Sequence, residues 1–238
     1  MKIGLFTDSH YCDRERTCTT RRPSLSYEKI REAMTVFAAA KVDLVLCLGD
    51  LVDDCGSREK NVEKLGELTS LIASFGLPFY SLMGNHDYQN FTREEFDTLT
   101  GGAYPPFSRR YGKAVLIFLD ANYKKDGTVY EPGKVDWVDT KLPGDQVNLL
   151  RQALDDSAGQ SVYVFTHQNP DDTVEEHHVI ANAGELRRMF EEAGNVKAVL
   201  SGHYHPGHDS EIGGIRYHTL PAMCEGEENR YKIFEIEN

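Results

Sequence analysis

The sequence has no surplus of basic residues and no long apolar run. Lys and Arg together number 26 against 38 Asp and Glu, which gives a formal net charge of -12 at pH 7. Such a chain lacks the general basic surface that binds long nucleic acid or an anionic membrane, although a local metal centre can still attract a small nucleotide. A membrane-spanning helix needs roughly 18 apolar residues, and no segment approaches that length. We therefore expect neither long nucleic acid nor a membrane among the partners.

Paired cysteine motifs and a secretion signal are also lacking. The five cysteines are odd in number, and none forms a Cys-x-x-Cys pair, which argues against a zinc ribbon or a disulfide framework. Near the N-terminus, polar Thr7 and Asp8 follow Phe6 at once, so the apolar centre of a signal peptide is missing. We expect reduced thiols and a cytoplasmic protein. The sequence gives no indication of the oligomeric state.

Short apolar runs, each followed at once by polar residues, dominate the chain. Their lack of alternation is typical of strands that are buried on both faces, and they cover residues 3–6, 44–48, 79–83, 115–119, 162–165 and 196–200. Helical spacing of apolar residues lies between them, at 24–40, 57–75, 146–154 and 183–192. Alternating strands and helices predict a layered α/β fold with the helices packed outside the sheets.

The end of the chain shows a different pattern, with strand-like segments at 215–220 and 231–236 and no helix between them. This arrangement predicts antiparallel pairing, a mixed sheet and a second sheet. Residues 101–112 and 124–143 read as loops. Because no repeat or linker interrupts the 238 residues, we expect one domain over 1–238.

Chemically reactive residues follow five of the predicted strands, where ligands collect in layered α/β sheets. Carboxylates mixed with imidazoles suit Mn, Fe, Zn or Co ions. Alternate residues point the same way, so two side chains of one segment can reach one ion. Taken singly, each motif is more often structural, for instance a helix cap; their joint occurrence at strand ends favours a metal site. The motifs are Asp8-Ser9-His10, Gly49-Asp50-Leu51-Val52-Asp53, Gly84-Asn85-His86-Asp87, Thr166-His167 and Gly202-His203-Tyr204-His205.

The ordered set D-x-H, G-D-x-x-D, G-N-H-D, H and G-H-x-H resembles the calcineurin-like metallophosphoesterase superfamily over residues 8–205. The resemblance implies an α/β/β/α fold, a layered β-sandwich of mixed sheets flanked by helices. Three short features are similar to the branch of manganese-dependent ADP-ribose/CDP-alcohol diphosphatases, while class III cyclic-nucleotide phosphodiesterases share the five blocks. The three features are Thr20-Arg21-Arg22, the run at 84–91 and Leu119-Asp120-Ala121.

The family pattern implies two metal ions that share Asp50 and stand roughly 3.5–4 Å apart. Such a pair lowers the pKa of a shared water for attack on phosphorus and neutralises charge on the phosphoryl oxygens. One ion would be bound by Asp8, His10, Asp50 and His205, and the other by Asp50, Asn85, His167 and His203.

Neighbouring residues are candidates for proton transfer. We expect His86 to protonate the leaving oxygen, since imidazole titrates near neutral pH. Asp87 would orient His86, with a simple turn or cap as the alternative. Asp53 would orient a metal-binding histidine without contacting the metal itself, or else it would cap the following helix.

Substrate contacts are predicted in the loops. Arg21 and Arg22 could clamp a second phosphate, the alternative being a solvated basic turn. Tyr123 could stack on a base or merely pack. His177 and His178 lie in an acidic loop, where we expect exposed side chains, with gating of the site as the alternative.

Together these features predict hydrolysis of a phosphodiester or phosphoanhydride in a small nucleotide-like molecule. The alternatives are a phosphomonoesterase or protein phosphatase, a binding module that has lost catalysis, and a nuclease acting on long DNA. A comparison of diester with monoester hydrolysis separates the leading hypothesis from the phosphomonoesterase alternative. Complete ligand motifs disfavour the binding module, and the acidic charge disfavours the nuclease.

Overall fold

The computed structural model describes residues 1–236. Ten strands form two sheets: β1 (Lys2–Phe6), β2 (Leu44–Cys47), β3 (Phe79–Ser81), β4 (Ser108–Tyr111), β5 (Ala114–Phe118), β6 (Ser161–Phe165), β7 (Val196–Ser201), β8 (His208–Ile212), β9 (Ile215–Thr219) and β10 (Lys232–Glu235). The α-helices are α1 (Ser26–Ala40), α2 (Arg58–Ala73), α3 (Asn85–Asn90), α4 (Arg93–Leu99), α5 (Gly144–Asp155) and α6 (Ala183–Ala193).

Both sheets are mixed. The first has the strand order β10-β1-β2-β3 and the second β4-β5-β6-β7-β9-β8. In the first sheet β1, β2 and β3 run parallel and β10 pairs antiparallel with β1. In the second sheet β5, β6, β7 and β9 run parallel, and the antiparallel strands β4 and β8 form its edges. The predicted α/β class, the mixed sheets and the second sheet are thus confirmed. The last two predicted strands do not pair with each other, because β9 lies in the second sheet, antiparallel to β8, and β10 lies in the first sheet, antiparallel to β1.

The apolar runs of the central strands supply two cores at once. In β1, Ile3 and Leu5 join the core between the two sheets, whereas Phe6 faces the helices that cover the first sheet. In β2, Leu46 joins the core between the sheets, and Val45 faces the helices. Each buried aliphatic side chain of this kind contributes about 2 kcal/mol of transfer free energy. Burial on both faces explains why these strands show no alternation of apolar and polar residues.

Helices cover the outer face of each sheet, which completes the four layers. Ile30 and Phe37 of α1, with Leu65 of α2, pack against the first sheet. Leu150 of α5 and Phe190 of α6 pack against the second. The sheets therefore bring the carboxyl ends of β1, β2 and β3 and those of β6 and β7 to one shared edge.

Several polar elements differ from the sequence predictions. The predicted loop 101–112 is wrong for its last four residues before Gly112, which form β4. Its sequence Ser-Arg-Arg-Tyr has no apolar pattern, because an exposed edge strand is held mainly by backbone pairing, here with β5. The same holds for β8, and the short helices α3 and α4 were not predicted either. In 124–143 the structure has turns and one isolated bridge, as expected of a loop. Within residues 1–236, no helix combines the length and apolarity needed to span a bilayer.

Candidate metal centre

Backbone hydrogen bonds join the motif-bearing loops at the shared edge. Asp8 N donates to Gly49 O at 3.0 Å, and His10 N donates to Asp50 O at 3.0 Å. From the second sheet, the His203 N–H donates to Asp8 Oδ2 at 3.0 Å. The loops that follow β1, β2 and β7 are therefore fixed to one another, and their side chains converge on one buried volume.

Three of the converging side chains surround one position. His10 Nε2 lies 3.2 Å from His205 Nε2, while Asp8 Oδ1 lies 3.6 Å from the first nitrogen and 3.4 Å from the second. Donors that share an ion at about 2.1 Å stand roughly 3.0–3.4 Å apart in tetrahedral or octahedral geometry. The spacing of these three donors therefore suits a shared cation.

A second group forms on the other side of Asp50. His167 Nε2 lies 3.2 Å from Asn85 Oδ1 and 3.4 Å from Asp50 Oδ2, and a His203 nitrogen lies within 4.8 Å of both the Asp50 and the His167 donor. Asp50 Oδ2 is also 3.5 Å from His10 Nε2. The carboxylate of Asp50 thus stands between the two groups, the position that a bridging ligand requires.

Hydrogen bonds orient two of the imidazoles so that Nε2 faces the centre. His167 Nδ1 donates to the carbonyl oxygen of Leu48 at 2.9 Å, and His205 Nδ1 donates to Glu225 Oε1 at 2.7 Å. A proton held on Nδ1 leaves the lone pair of Nε2 free to bind a cation.

Several donor atoms of the centre are buried without a hydrogen-bond partner. Within residues 1–236 these include Asp8 Oδ1 and His203 Nε2, and both residues are almost fully buried. Buried polar atoms normally find partners, because leaving them unpaired costs free energy. A cation would satisfy both atoms, so the residues present fit a metal centre.

The electrostatics favour the metal-binding form of several donors. Burial, reinforced by the nearby charge of His86, lowers the pKa of His10 to about 4. Burial, together with the neighbouring charge of His167, lowers the pKa of His203 well below its usual value. For Asp50 burial raises the pKa, but the charges of His167 and His86 outweigh it and the net shift is downward. Neutral imidazoles and an ionised carboxylate are the species that bind metals.

His167 and His205 have the opposite shift. Burial lowers the pKa of both imidazoles, but the adjacent carboxylates outweigh it. Asp50 raises the pKa of His167 to about 9, and Asp8 raises the pKa of His205 to about 12. A cation that binds at these two nitrogens must displace protons, so binding will strengthen as pH rises.

The backbone at the centre adopts a conformation that the sequence did not indicate. Asp8, His10, Asp50 and His203 have φ values of 51°, 45°, 54° and 66°, in the left-handed region that non-glycine residues rarely occupy. Each such residue costs of the order of 1–3 kcal/mol and persists only when the surrounding structure holds it. Here the cross-loop hydrogen bonds supply that hold.

Gly84 allows this close packing. A Cβ atom on Gly84 would lie 2.6 Å from Cγ of Asp50, a separation that real side chains do not reach. The absence of a side chain at this position therefore lets the loop after β3 contact the carboxylate that stands between the two groups.

His86 is paired with Asp53. His86 Nδ1 donates to Asp53 Oδ1 at 2.9 Å, and the imidazole stands edge-on to His10 with ring centroids 4.4 Å apart. Burial lowers the pKa of His86, but the carboxylates of Asp50 and Asp53 outweigh it and the net shift is upward. The expected partner of Asp53 was a ligand histidine or the N-terminus of α2; its observed partner is His86, and Ser57 caps α2.

Asp87 makes backbone contacts. Its carboxylate accepts hydrogen bonds from Gly84 N at 3.0 Å, Leu51 N at 3.0 Å and Val52 N at 3.3 Å. Burial and the charge of Asp50 raise the pKa of Asp87 to about 7. These contacts favour the capping alternative for Asp87, since the carboxylate that orients His86 is that of Asp53.

The two predicted arginines differ in their surroundings. Arg21 Nε lies 3.9 Å from Glu225 Oε1. The same oxygen accepts a hydrogen bond from His205, so Glu225 lies between Arg21 and the proposed ligand His205. Arg22 Nη1 donates to the carbonyl oxygen of Arg21 at 3.3 Å. A clamping role stays a prediction for both.

Tyr123 belongs to a separate polar cluster. Its hydroxyl accepts from Arg93 Nη2 at 3.1 Å, and the same nitrogen donates to Asp120 Oδ2 at 2.6 Å. Over the described part of the chain, no hydrogen bond or ring contact joins Tyr123 to the seven proposed ligands. The packing alternative agrees better with these contacts than base stacking does.

Two contacts at the centre were missed from the sequence. Glu225 reaches His205 from a segment 20 positions further along the chain, and Trp137 lies 5.6 Å from His203 between ring centroids. Neither carries a spacing signal, because each arrives through a loop. His178 was expected to be exposed, yet it is half-buried with its ring centroid 5.1 Å from that of His203.

Comparison with known sequences identifies relatives that are phosphodiesterases. The chain is 27% identical over 229 residues to the 3',5'-cyclic adenosine monophosphate phosphodiesterase CpdA of Escherichia coli K12, covering 94% of this chain and 76% of the relative. It is 26% identical over 188 residues to CpdA of Haemophilus influenzae, covering 76% of this chain. The match spans 61% of the length of the H. influenzae protein.

Solved structures show the same fold. A dimetal phosphatase from Danio rerio aligns with a TM-score of 0.85 at 17% identity, covering 98% of this chain and 91% of that chain. The protein TT1561 of Thermus thermophilus aligns with a TM-score of 0.61 at 10% identity, covering 93% and 89%. The family model described as calcineurin-like phosphoesterase matches residues 1–207. The chain therefore belongs to the calcineurin-like phosphoesterase family.

Proposed function

We propose that the protein is a dinuclear metallohydrolase that cleaves a phosphodiester or phosphoanhydride bond of a small nucleotide-like substrate. The observation that carries the proposal is the convergence of six donor residues around Asp50, with buried donor atoms such as His203 Nε2 unpaired within residues 1–236. In this proposal Asp8, His10, Asp50 and His205 hold one ion, and Asp50, Asn85, His167 and His203 hold the other.

When bound, two divalent ions lower the pKa of a water molecule and offset negative charge on the phosphoryl oxygens. Manganese, iron, zinc and cobalt all accept this mixture of carboxylate, amide and imidazole donors. We propose manganese for the first reconstitution, because the Arg21-containing segment and Leu119-Asp120-Ala121 resemble the manganese-dependent diphosphatase branch.

The chain's own residues would bind and protonate the substrate. His86, with Nδ1 held by Asp53 at 2.9 Å, would donate a proton from Nε2 to the leaving oxygen. The raised pKa of His86 keeps it protonated over a wider range of pH. Arg21, next to the Glu225–His205 pair, would contact a second phosphate.

Two further parts of the proposal concern the whole protein. We propose that residues 1–238 act as one domain, because both sheets contribute donors to the centre. We also propose a cytoplasmic location: all five cysteines are free, as is usual in a reducing compartment.

The test is a substrate panel with the manganese-loaded protein, with metal analysis alongside. The panel contains ADP-ribose, CDP-choline, cyclic AMP and p-nitrophenyl phosphate. We expect two metal ions per chain and turnover of at least one of the three nucleotide substrates in preference to the monoester. A preference for the monoester would favour the phosphomonoesterase alternative. Absence of both metal and turnover would contradict the proposal.

A further inference from the structure

Three rings outside the proposed ligand set lie beside the metal centre. They are Trp137, in the loop after β5, and His177 and His178, in the short 3-10 turn Glu176–His178. The ring centroid of Trp137 lies 5.4 Å from that of His177 and 5.3 Å from that of His178. We name these three side chains the aromatic rim.

The aromatic rim contacts the metal centre directly. The centroids of Trp137 and His178 lie 5.6 Å and 5.1 Å from that of His203. The Nε2 atom of His203 is buried and has no hydrogen-bond partner in the described part of the chain. A ligand held at His203 through its phosphate therefore has the rim as its immediate neighbour.

Part of the rim is open to solvent. Trp137 is 40% exposed and the His177 side chain 47%, whereas His178, with its side chain 16% exposed, fills the space next to His203. The open rings offer flat apolar surface with polar edges.

The buried side chain of Tyr130 fixes the loop that carries Trp137. Tyr130 is 4% exposed, and its hydroxyl lies 2.7 Å from the Asp136 carbonyl oxygen and 2.6 Å from that of Asp139. Asp139 Oδ1 in turn accepts from Lys125 N at 2.8 Å. Hydrogen bonds on both sides of Trp137 reduce the entropy that the ring loses when a ligand binds.

We infer that the aromatic rim is a subsite that binds the planar heteroaromatic base of a nucleotide whose phosphate lies at the metal centre. The inference rests on the proposed function and extends it to the base. Stacking on aromatic side chains accepts any base, because every base presents a π-face. The imidazole edge of the exposed His177, whose Nε2 lies 3.2 Å from Glu175 Oε2, adds a polar group for the base edge.

Trp137 is the single tryptophan of the chain, so its fluorescence reports on the rim alone. The probes are AMP and ribose 5-phosphate, which carry the same phosphate and sugar and differ in the base. With the manganese-loaded protein we expect AMP to change the emission saturably and ribose 5-phosphate to change it far less. Equal responses, or no response to AMP, would overturn the subsite.

A calorimetric titration of variants measures the contribution of the ring. We expect the unmodified protein to bind AMP about tenfold more tightly than ribose 5-phosphate, because stacking of one base on an aromatic side chain contributes an affinity difference of about this size. In Trp137→Ala this ratio should fall to about one, and Trp137→Phe should restore most of it. Retention of the ratio in Trp137→Ala would refute the inference, whatever its effect on the metal site.

The matched control is Leu149→Ala, because Leu149 is 48% exposed and lies on α5, a different element from the two segments that carry the rim. Its affinity ratio should equal that of the unmodified protein. The proposed function can fail separately. Saturable AMP binding at Trp137 without turnover of any phosphoester supports the subsite and contradicts the hydrolase. Turnover of bis-p-nitrophenyl phosphate with equal affinities for AMP and ribose 5-phosphate does the reverse.

Discussion

Two buried polar clusters near the same edge of the sheets differ in how completely their atoms are paired. At the metal centre, Asp8 Oδ1 and His203 Nε2 have no hydrogen-bond partner among residues 1–236. In the cluster around Asp120, both carboxylate oxygens are occupied. Oδ2 accepts from Tyr88 at 2.6 Å and from Arg93 at 2.6 Å.

The other oxygen of Asp120 accepts from the Asn122 backbone at 3.0 Å and from its side chain at 2.9 Å. Paired polar groups rigidify a fold, whereas buried polar atoms without a partner need another one, which a cation supplies in the proposed centre. Chemically similar residues at strand ends can thus stabilise the fold in one cluster and, in the proposed function, hold metal in the other. Substitutions in each cluster should therefore affect different properties.

The largest expected effect is that of Asp50→Asn. The carboxylate lies between the two donor groups, at 3.5 Å from His10 Nε2 and 3.4 Å from His167 Nε2, and the neutral amide cannot offset two cations. We expect kcat to fall about a thousandfold, because metal ions supply several kcal/mol of charge stabilisation. The bound metal should fall below two ions per chain.

Kinetics and metal analysis check this prediction, with circular dichroism to show that the variant folds. Asp155→Asn, at an exposed position of α5, removes the same charge far from the centre and should change neither quantity. Full metal content and activity in Asp50→Asn would mean that Asp50 does not bridge.

The next effect tests the Asp120 cluster. Asp120→Ala leaves the buried Tyr88 hydroxyl, the buried Asn122 amide and the partly exposed Arg93 guanidinium without their acceptor. Together these unpaired groups cost about 3 kcal/mol. For a chain of this size, we expect Tm to fall by about 6–12 °C. Thermal unfolding measures the shift.

Metal content and kcat of Asp120→Ala, measured well below its Tm, should match those of the unmodified protein. Asp120→Asn, which retains an acceptor oxygen for Asn122, should destabilise less than Asp120→Ala. A loss of metal or activity without a loss of stability would remove the distinction between the two clusters.

A smaller effect is expected from His86→Asn. Under the proposed acid role of His86, the variant should turn over substrates with poor leaving groups about a hundredfold more slowly, while p-nitrophenyl esters, whose leaving group needs no proton, slow by much less. Paired kcat measurements on an alkyl and a p-nitrophenyl diester test this. Equal slowing of both, with unchanged metal content, would exclude His86 as the acid.

The smallest effect concerns pH. The acid role requires protonated His86, so kcat should decline as pH rises through the His86 pKa, which the Asp53 carboxylate helps to raise. Asp53→Asn removes the Asp53 carboxylate, so the pKa of His86 falls. The decline of kcat at alkaline pH should therefore begin about one pH unit lower than in the unmodified protein. The control, Asp54→Asn, changes an exposed neighbour. An unshifted decline in Asp53→Asn would uncouple Asp53 from proton transfer.

The sequence alone determined the elements that bury apolar residues and the motifs that follow them. The runs around Leu46 and Val164 have no polar face, and only strands covered on both sides accommodate such runs. The same local patterns pointed to the α/β class, to mixed sheets and, by resemblance, to the family. Where apolar periodicity was absent, as in β4 and β8, elements that backbone pairing holds in place were missed.

Tertiary structure decided which of the polar residues share a partner. It paired His86 with Asp53 rather than Asp87, placed Glu225 behind His205, and brought Trp137 beside His203. Local sequence patterns specify the conformation of a segment, because propensity and periodicity act over a few residues. Contacts between loops depend instead on how two sheets stack and where each loop returns, which no short stretch of sequence encodes.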